Sequence, residues 1–451
     1  MKSTLIEGDI KKSLIRFTIP IALSLLLQTL YSAVDLFIVG QFASVSDVAG
    51  VTSSSQLLST LTNLCAGFAM GSTILIAKRV GERNVDRVRD SINNTIIFFI
   101  CFSLLITLIF AFFNEFFTSM LSPPDEAYLE TKDYLFYASL GIPLIFFYNV
   151  LGAIFRGLGD SKTPLIAVAV ACFINILLDI LFVAVFGMGA KGAAIATVLS
   201  QGISVLYCLF FSKNDYVNIS SFKNLKLQKK VISSILVLGT PIAIQSVMTS
   251  FSFLFITIIV NTFNDVSLSS AVGISEKLCG FIMLLPMSFM QSISAYVAQN
   301  MGANQFPRAK KAFYLSFKYS FMYGFVMFLV SMFFGNYLAM VFTKEASVIS
   351  ATAVYLKAYS FDVLCVPIIF CFSGYFTGLG KTKLVSVLSL FASIVLRMPL
   401  AYLLSRLFPQ SIFYMGLAIP MSTIVGCVMM IYIYKTRLNT LEKIQKSNSK
   451  W

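Results

Sequence analysis

Polar and acidic side chains interrupt a long apolar stretch near the start of the chain, and their spacing places them on one face of a helix. Ser24, Gln28, Tyr31 and Asp35 are separated by four, three and four residues. At about 100° per residue they fall within about 60° of one another. An aspartate at the centre of a membrane helix costs ~2.5–3.5 kcal/mol even on a lenient insertion scale. Asp35 is therefore expected to bind a proton or a cation.

Polar positions recur in later apolar stretches. Asn175 and Asp179 lie one helical turn apart, Thr197 and Gln201 share a third stretch, and Gln56 begins a polar stripe in a fourth. The alternative use of such residues is hydrogen bonding between helices, which suits threonine and asparagine. It suits the aspartates poorly, because Asp35 is the only charged residue from Phe17 to Gly40 and Asp179 is the only one in 163–186, so neither has a basic partner nearby in its helix. Oxygen ligands for a cation are thus predicted from several helices.

The elements that carry these residues are predicted to be transmembrane helices. The 451-residue chain is 57% hydrophobic and 12% charged, whereas soluble domains are about 25% charged. Apolar runs of about 18 or more residues recur from end to end, and runs of that length span a membrane as helices. We predict twelve spans: residues 14–40, 50–77, 92–113, 132–155, 163–186, 192–211, 231–262, 268–299, 311–341, 351–374, 384–407 and 412–434.

The net charge of +14 is explained by membrane topology and does not indicate nucleic acid as a partner. With a cytoplasmic N-terminus, 27 Lys and Arg residues fall in cytoplasmic segments and five in external ones. This asymmetry follows the positive-inside rule and predicts that both termini are cytoplasmic. We expect a multi-pass protein of the cytoplasmic (inner) membrane. The chain has no histidine, which excludes histidine-based catalysis and the commonest transition-metal ligand. The eight cysteines lie within spans and show no zinc spacing.

The chain repeats itself at an offset of 221 residues. Pro20 matches Pro241, and Gly81 matches Gly302. Six spans in each half make the repeats parallel, as in transporters whose two lobes move about a central substrate site. We therefore predict an all-α membrane protein with lobes at 1–212 and 231–451, joined by a cytoplasmic Lys-rich linker at 213–230, around a central cleft.

Pro20 and Pro241 lie early in the first span of each half. A proline inside a helix removes a hydrogen bond and favours a bend. Each is a candidate hinge, with a static kink as the alternative.

The second half does not repeat the acids of the first. At the repeat offset Asp35 becomes Ile256, and Asp179 falls near Ala401. Its embedded charges are Glu276, Lys277 and Arg397. These three residues, with Gln28, Tyr31, Gln56, Gln201 and Gln245, are the candidates for substrate contact or gating.

The tetrapeptide GLGD at 157–160 matches the short signature of intramembrane aspartyl proteases. Those enzymes need the aspartate inside a span, but Arg156 and Lys162 flank Asp160 in a predicted cytoplasmic loop. A turn before a helix fits better, with Thr163 as N-cap and Pro164 as the first helical residue. The small-residue pattern GFAMG at 67–71 predicts close helix packing.

Over nearly its whole length the sequence resembles the bacterial branch of the multidrug and toxic compound extrusion (MATE) family. The first span reads PIALSLLLQTLYSAVDLFIVGQF, and the family's proline lies fifteen residues before the acid of that helix, at Pro20. The resemblance implies a first-lobe cation site made of Asp35, Asn175, Asp179 and Thr197. The segment GISEKL is similar to the family's helix-8 segment with an acidic residue, here Glu276.

The resemblance implies a secondary active exporter of organic, often cationic, amphipathic compounds, driven by H⁺ or Na⁺ through alternating access. It implies no covalent chemistry, no cofactor and no bound metal beyond a possible Na⁺ at the coupling site. We expect a monomer in the lipid bilayer. The alternatives are a flippase for a lipid-linked oligosaccharide from the same superfamily, for which an anionic cargo would favour a basic cleft, and a receptor or scaffold that does not transport.

Overall fold

The computed structural model describes residues 5–211, 226–263, 265–409 and 411–438. These residues form helices and short connections, and no strand occurs among them. The predicted linker at 213–230 lies outside the described residues apart from its last five. That end is attached to the third long helix, because the Asn94 side chain donates to the Lys226 carbonyl and accepts from the Gln228 amide, at 3.2 and 2.7 Å.

Eleven helices among the described residues are long and apolar enough to cross a membrane, and a bent pair adds a twelfth span. In chain order they are α1 (Ile10–Phe42), α2 (Val45–Gly81), α3 (Val85–Phe112), α4 (Asp125–Leu140 with Ile142–Leu158), α5 (Lys162–Val185), α6 (Gly189–Phe211), α7 (Lys229–Asn261), α8 (Val266–Gly302), α9 (Phe306–Phe333), α10 (Ala346–Gly378), α11 (Thr382–Leu407) and α12 (Ile412–Thr436). Each predicted span overlaps one of these elements, and the ninth, 311–341, extends beyond the end of α9 at Phe333. Short helices at Asn114–Leu121 and Gly335–Met340 follow α3 and α9.

The bend in α4 lies at Gly141, where the two parts meet at 51°. The backbone amide of Gly141 bonds the carbonyl of Ala138, three residues earlier, in place of the regular α-helical acceptor four residues earlier, so the amide stays paired at the bend. A Cβ at Gly141 would lie 2.0 Å from a methyl carbon of Val198 on α6. The glycine therefore permits the close approach of α6.

Two compact units divide the chain. The first comprises Met1–Ala243 and Ala298–Arg308, and the second comprises Ile244–Val297 and Ala309–Trp451. The first unit contains α1 to α6 and its largest apolar cluster joins residues of α2, α3, α4, α5 and α6. The main cluster of the second unit joins residues of α7, α8, α10, α11 and α12.

Within the first unit, α2 packs closely against the start of α7. A Cβ at Gly67 would lie 2.3 Å from the Cα of Ala243, and one at Gly71 would lie 2.6 Å from the amide nitrogen of Gly239. Real side chains do not approach a backbone so closely, and only glycine fits at these two positions. This contact accounts for the small residues at both ends of GFAMG.

The two repeat-related glycines meet at the ends of α2 and α8, again within the first unit. A Cβ at Gly81 would lie 2.0 Å from the Gln299 carbonyl oxygen, and one at Gly302 would lie 2.1 Å from the Lys78 carbonyl oxygen. Each glycine thus admits the backbone of the other helix. The sequence repeat therefore corresponds to a reciprocal contact.

The N-terminal segment before α1 is held by residues at the end of α8 and the start of α9. The Arg308 guanidinium donates to the carbonyl oxygens of Leu5, Glu7 and Gly8 at 3.2, 2.9 and 2.7 Å. The Asn300 amide also donates to the Leu5 carbonyl at 3.1 Å. Leu5 is fully buried, so both polar and apolar contacts hold this segment.

The prediction of Thr163 as the cap of α5 is wrong. The helix begins at Lys162, and the carboxylate of Asp160 accepts from the amides of Lys162 and Thr163 at 2.9 and 3.1 Å. The same carboxylate accepts from the Thr163 hydroxyl at 2.5 Å. A carboxylate is a stronger acceptor than a hydroxyl and complements the positive end of the helix dipole. The aspartate of the GLGD tetrapeptide is thus engaged in capping.

Candidate functional site

Two acidic side chains face each other in the interior of the first unit. Asp35 of α1 is 8% exposed, and Asp179 of α5 is fully buried. Their carboxyl groups lie within hydrogen-bonding reach of one another. Neither oxygen of Asp179 accepts a hydrogen bond from a donor group of the described residues. Oδ1 of Asp35 is likewise without a donor. Because two adjacent carboxylates with so few donors are strongly unfavourable in a dry environment, the pair needs a proton or a cation.

Asn175 and Thr197, the other two predicted members of the site, flank the acids. Asn175 lies one turn before Asp179 and is fully buried, and neither its amide nitrogen nor its carbonyl oxygen has a partner among the described residues. Thr197 of α6 is half-buried, and its hydroxyl lies beside that of Tyr31. Tyr31 in turn interacts electrostatically with both acids.

A π-helical turn at Ile180–Val185 begins directly after Asp179. Such turns insert an extra residue into a helix and occur frequently at functional sites. The turn ends the regular helix at the acid and changes the direction of the side chains that follow. The sequence pattern did not predict it.

The start of α6, which carries Thr197, is fixed by Asp47 of α2. Its carboxylate accepts from the Ala190 amide at 2.7 Å, and it also closes a capping box with Ser44. Gly189 adopts φ +54, and a Cβ there would lie 2.2 Å from the Asp47 carboxylate. This glycine is therefore required both by its backbone conformation and by the close approach of the carboxylate.

One neighbour of the acids was missed from the sequence. The Tyr134 hydroxyl, on α4, interacts electrostatically with Asp35 and Asp179 and accepts from the Ser55 hydroxyl at 3.4 Å. Tyr134 is 4% exposed. The available signal was the internal repeat, which pairs Tyr134 with Tyr355.

The chemistry of the site is that of hard oxygen donors. Two carboxylates, an amide and a hydroxyl suit a proton or Na⁺ and do not suit soft transition metals. Among the described residues no three Asp, Glu or Cys side chains converge in a metal-binding group. Loading of one monovalent cation would neutralise one of the two negative charges.

The other candidates of the first unit differ in their surroundings. Gln28 and Gln56 are both exposed. The amide of Gln28 donates to the Tyr148 hydroxyl at 3.2 Å. Gln201 is half-buried, and its carbonyl oxygen has no partner among the described residues. Gln201 therefore has a buried acceptor available for a ligand.

The candidates of the second unit range from exposed to buried. Lys277 is exposed, and Gln245 is half-buried. Glu276 of α8 is half-buried and accepts from the Thr257 hydroxyl at 3.3 Å. Arg397 is only 9% exposed, at the end of a π-helical turn in α11 at Phe391–Arg397.

The predicted set of embedded charges in the second half was incomplete. It omitted Asp362 of α10, which is 2% exposed. The Asp362 carboxylate interacts electrostatically with Arg397 and has the hydroxyls of Tyr359 and Thr423 beside it. The signal was present in the sequence, because Asp362 lies inside the predicted span at 351–374.

The MatE family model matches the chain twice, over residues 20–181 and 241–403. The matches begin 221 residues apart, at the offset of the internal repeat. They cover well over half of the chain, and each matched segment corresponds to one of the repeats.

Two curated relatives match over almost the full length. The chain is 28% identical over 428 residues to the probable multidrug resistance protein YpnP of Bacillus subtilis (strain 168), which covers 94% of this chain and 95% of that protein. It is 22% identical over 438 residues to the multidrug export protein MepA of Staphylococcus aureus (strain MRSA252), with 96% of each covered.

A solved structure of a multidrug resistance MATE family transporter of the MOP superfamily, in an outward-facing conformation, has the same fold. It superposes with a TM-score of 0.91 at 22% identity and covers 98% of this chain and 99% of that one. The predicted all-α fold with two six-helix lobes is thereby confirmed. The chain therefore belongs to the MATE family, whose members are ion-coupled multi-pass membrane transporters and not enzymes.

Proposed function

We propose that this protein exports organic, often cationic, amphipathic compounds in exchange for H⁺ or Na⁺ by alternating access. The observation that carries the proposal is the buried pair of Asp35 and Asp179, in which Oδ1 of Asp35 and both oxygens of Asp179 have no hydrogen-bond donor among the described residues. A pair of this kind changes its charge by one unit when it takes up or releases one cation. That change can favour one conformational state over another, because the ion binds the two states with different affinities.

The coupling site in this proposal consists of Asp35, Asn175, Asp179 and Thr197. The two carboxylates carry the exchanged charge, whereas the amide of Asn175 and the hydroxyl of Thr197 complete an oxygen shell around a cation. Tyr134 and Tyr31 position the acids through their hydroxyls. A bend at Pro20, in the same helix as Asp35, would transmit loading to the rest of α1, with Pro241 as the corresponding hinge in the second lobe.

We also propose that the protein acts as a monomer in the cytoplasmic membrane, with both termini in the cytoplasm. The lobes of the working transporter are residues 1–212 and 231–451. Glu276 and the remaining polar candidates contact substrate or control access to it. Export of a lipid-linked oligosaccharide is the less favoured function. An anionic pyrophosphate cargo requires a basic cleft, whereas the embedded charges, with Asp362 included, are predominantly acidic.

The test is efflux from proteoliposomes in which a pH gradient and a Na⁺ gradient are imposed separately. A cationic dye loaded on the cytoplasmic side of the protein should move against its own gradient when one of the two ions is supplied. Uptake that depends on neither gradient would contradict secondary active transport. The response to each gradient also identifies the coupling ion.

A further inference from the structure

The second lobe contains a buried cluster of opposite charges that the proposed coupling site does not use. Asp362 of α10 is 2% exposed, and Arg397 of α11 is 9% exposed. Oδ1 of Asp362 and Nη1 of Arg397 have no hydrogen-bond partner among the described residues. The two groups nevertheless interact electrostatically. Each therefore supplies a charge that balances the other in a poorly solvated environment.

The guanidinium of Arg397 is fixed by contacts with two further helices. Its Nε donates to the hydroxyl of Ser422, on α12, at 3.3 Å. Its Cζ lies 4.8 Å from the ring centroid of Phe253, on α7, which is cation–π geometry. The charge is thus held in place by neutral partners, while Asp362 provides the negative charge.

The internal repeat relates this cluster to the coupling site of the first lobe. Tyr134 and Tyr355 are equivalent at the offset of 221, and both lie beside two acids: Tyr134 beside Asp35 and Asp179, and Tyr355 beside Glu276 and Asp362, with Arg397 also in range. At the same offset Arg397 falls close to Asn175 in the sequence. The segment that offers a neutral amide in the first lobe therefore carries a permanent cation in the second.

We propose that Arg397 is a tethered cation that takes the place of an exchangeable ion in the second lobe. A guanidinium does not lose its proton in proteins, and it cannot leave the lobe. Asp362 is consequently neutralised in every state of the transporter, and ion exchange is confined to the first lobe. This inference rests on the proposed ion-coupled export for its meaning in the transport cycle.

The groups that face this pair determine what removal of Arg397 would expose. Cys279 from α8 and Tyr359 from α10 both interact electrostatically with Asp362, and Glu276 is a further acid within range of Tyr355. Two carboxylates, Glu276 and Asp362, would then lie among thiol and phenol groups without a permanent cation. The second lobe should acquire a need for H⁺ or Na⁺ like that of the first.

The experiment measures the thermal midpoint of purified protein in detergent as Na⁺ replaces choline, and as pH is varied. It uses Asp35→Asn/Asp179→Asn as the background, so that the first lobe no longer contributes an exchangeable site. A ligand that binds only the folded state raises the thermal midpoint. Cation binding by the second lobe is therefore detected as a rise in the midpoint, without any transport measurement. Failure of the proposed function would instead appear as gradient-independent efflux of the unmodified protein.

With Arg397 intact, the midpoint of the background protein should not depend on Na⁺ or on pH near neutrality. Adding Arg397→Gln should produce an upward shift of several degrees with Na⁺ or with falling pH, and adding Asp362→Asn to that variant should abolish the shift. Arg397→Lys retains the charge and should behave like the background. If Arg397→Gln does not fold, rescue of folding by Asp362→Asn supports the proposal.

Three results would overturn it. The first is a cation-dependent midpoint with Arg397 intact that Asp362→Asn removes, since the lobe would then bind a mobile ion beside the arginine. The second is an Arg397→Gln protein that folds and responds to neither cation. The third is a loss of folding by Arg397→Gln that Asp362→Asn does not rescue, because Arg397 would then serve packing alone.

Discussion

Replacement of Asp35 by asparagine should separate substrate binding from ion coupling. The amide has nearly the shape of the carboxyl group, and its NH₂ can donate to the carboxylate of Asp179, which lies within hydrogen-bonding reach. The variant therefore supplies covalently the donor that a proton would otherwise provide. The first lobe then keeps one negative charge in every state, so loading can no longer change its charge. We expect a folded protein that binds substrate and does not respond to the gradient.

The magnitude follows from the single exchanged charge. A tenfold gradient of one ion supplies about 1.4 kcal/mol, which supports about a tenfold gradient of substrate in a one-for-one exchange at zero membrane potential. A hundredfold ion gradient supports about a hundredfold substrate gradient by the same reasoning. Asp35→Asn should reduce either ratio to about one. Asp179→Asn should do the same, and the double variant should be little worse. In each of the two single variants and in the double variant, ion loading no longer changes the charge of the site.

The assay is substrate accumulation in proteoliposomes under an imposed pH or Na⁺ gradient, with equilibrium substrate binding measured on protein of matched folding. Asp86→Asn is the matched control, since Asp86 is exposed in the first turn of α3 and its loss should leave accumulation unchanged. If Asp35→Asn accumulates substrate to the same ratio as the unmodified protein, then Asp35 is only a tolerated polar residue and coupling resides elsewhere.

Three further predictions test the topology, the second-lobe acid and the N-terminal contact. A cysteine introduced at Asp125 should react with an impermeant thiol reagent from outside, and one at Asn84 should not; the opposite pattern would overturn the orientation derived from charge. Glu276→Gln should weaken export of cations and spare neutral compounds, and equal loss for both would assign Glu276 to coupling instead. Arg308→Ala removes hydrogen bonds to three backbone carbonyls and should speed amide hydrogen exchange in residues 5–8 by about tenfold or more, since one bond to a charged donor stabilises by at least about 1.5 kcal/mol. Arg308→Lys keeps the charge without the fork and should show a smaller effect, whereas unchanged exchange in both variants would contradict the role of this contact.

The residues that the sequence identified best are those that a membrane makes expensive. Asp35 and Asp179 are each predicted to need a proton or a cation because an acid without a nearby basic partner is unfavourable in lipid. The resemblance to the MATE family places them in one site, and the structure brings their carboxyl groups together. The same reasoning applies to Asp362, an acid inside a predicted span, and it was overlooked.

Other parts of the site consist of residue types that are not costly in a membrane, so the sequence does not identify them. Tyr134 is an ordinary membrane residue, and only its position relative to the acids makes it part of the site. The π-helical turn at Ile180–Val185 follows from packing around α5 and has no distinctive composition. Asp160 rather than Thr163 caps α5 because the loop turns its carboxylate toward two free amides, a geometry that spacing alone does not determine.

The different fates of the two repeats have a physical consequence for coupling. Parallel repeats begin with equivalent interiors, and two exchangeable sites would let the transporter bind one ion in either lobe without committing to a conformational state. An arginine that cannot dissociate removes this ambiguity, because the second lobe keeps the same charge throughout the cycle. Arg397 and Asp362 then form a pair whose net charge stays constant while Asp35 and Asp179 respond to the ion. A single responsive lobe is sufficient, since one ligand with unequal affinity for two states already shifts their equilibrium.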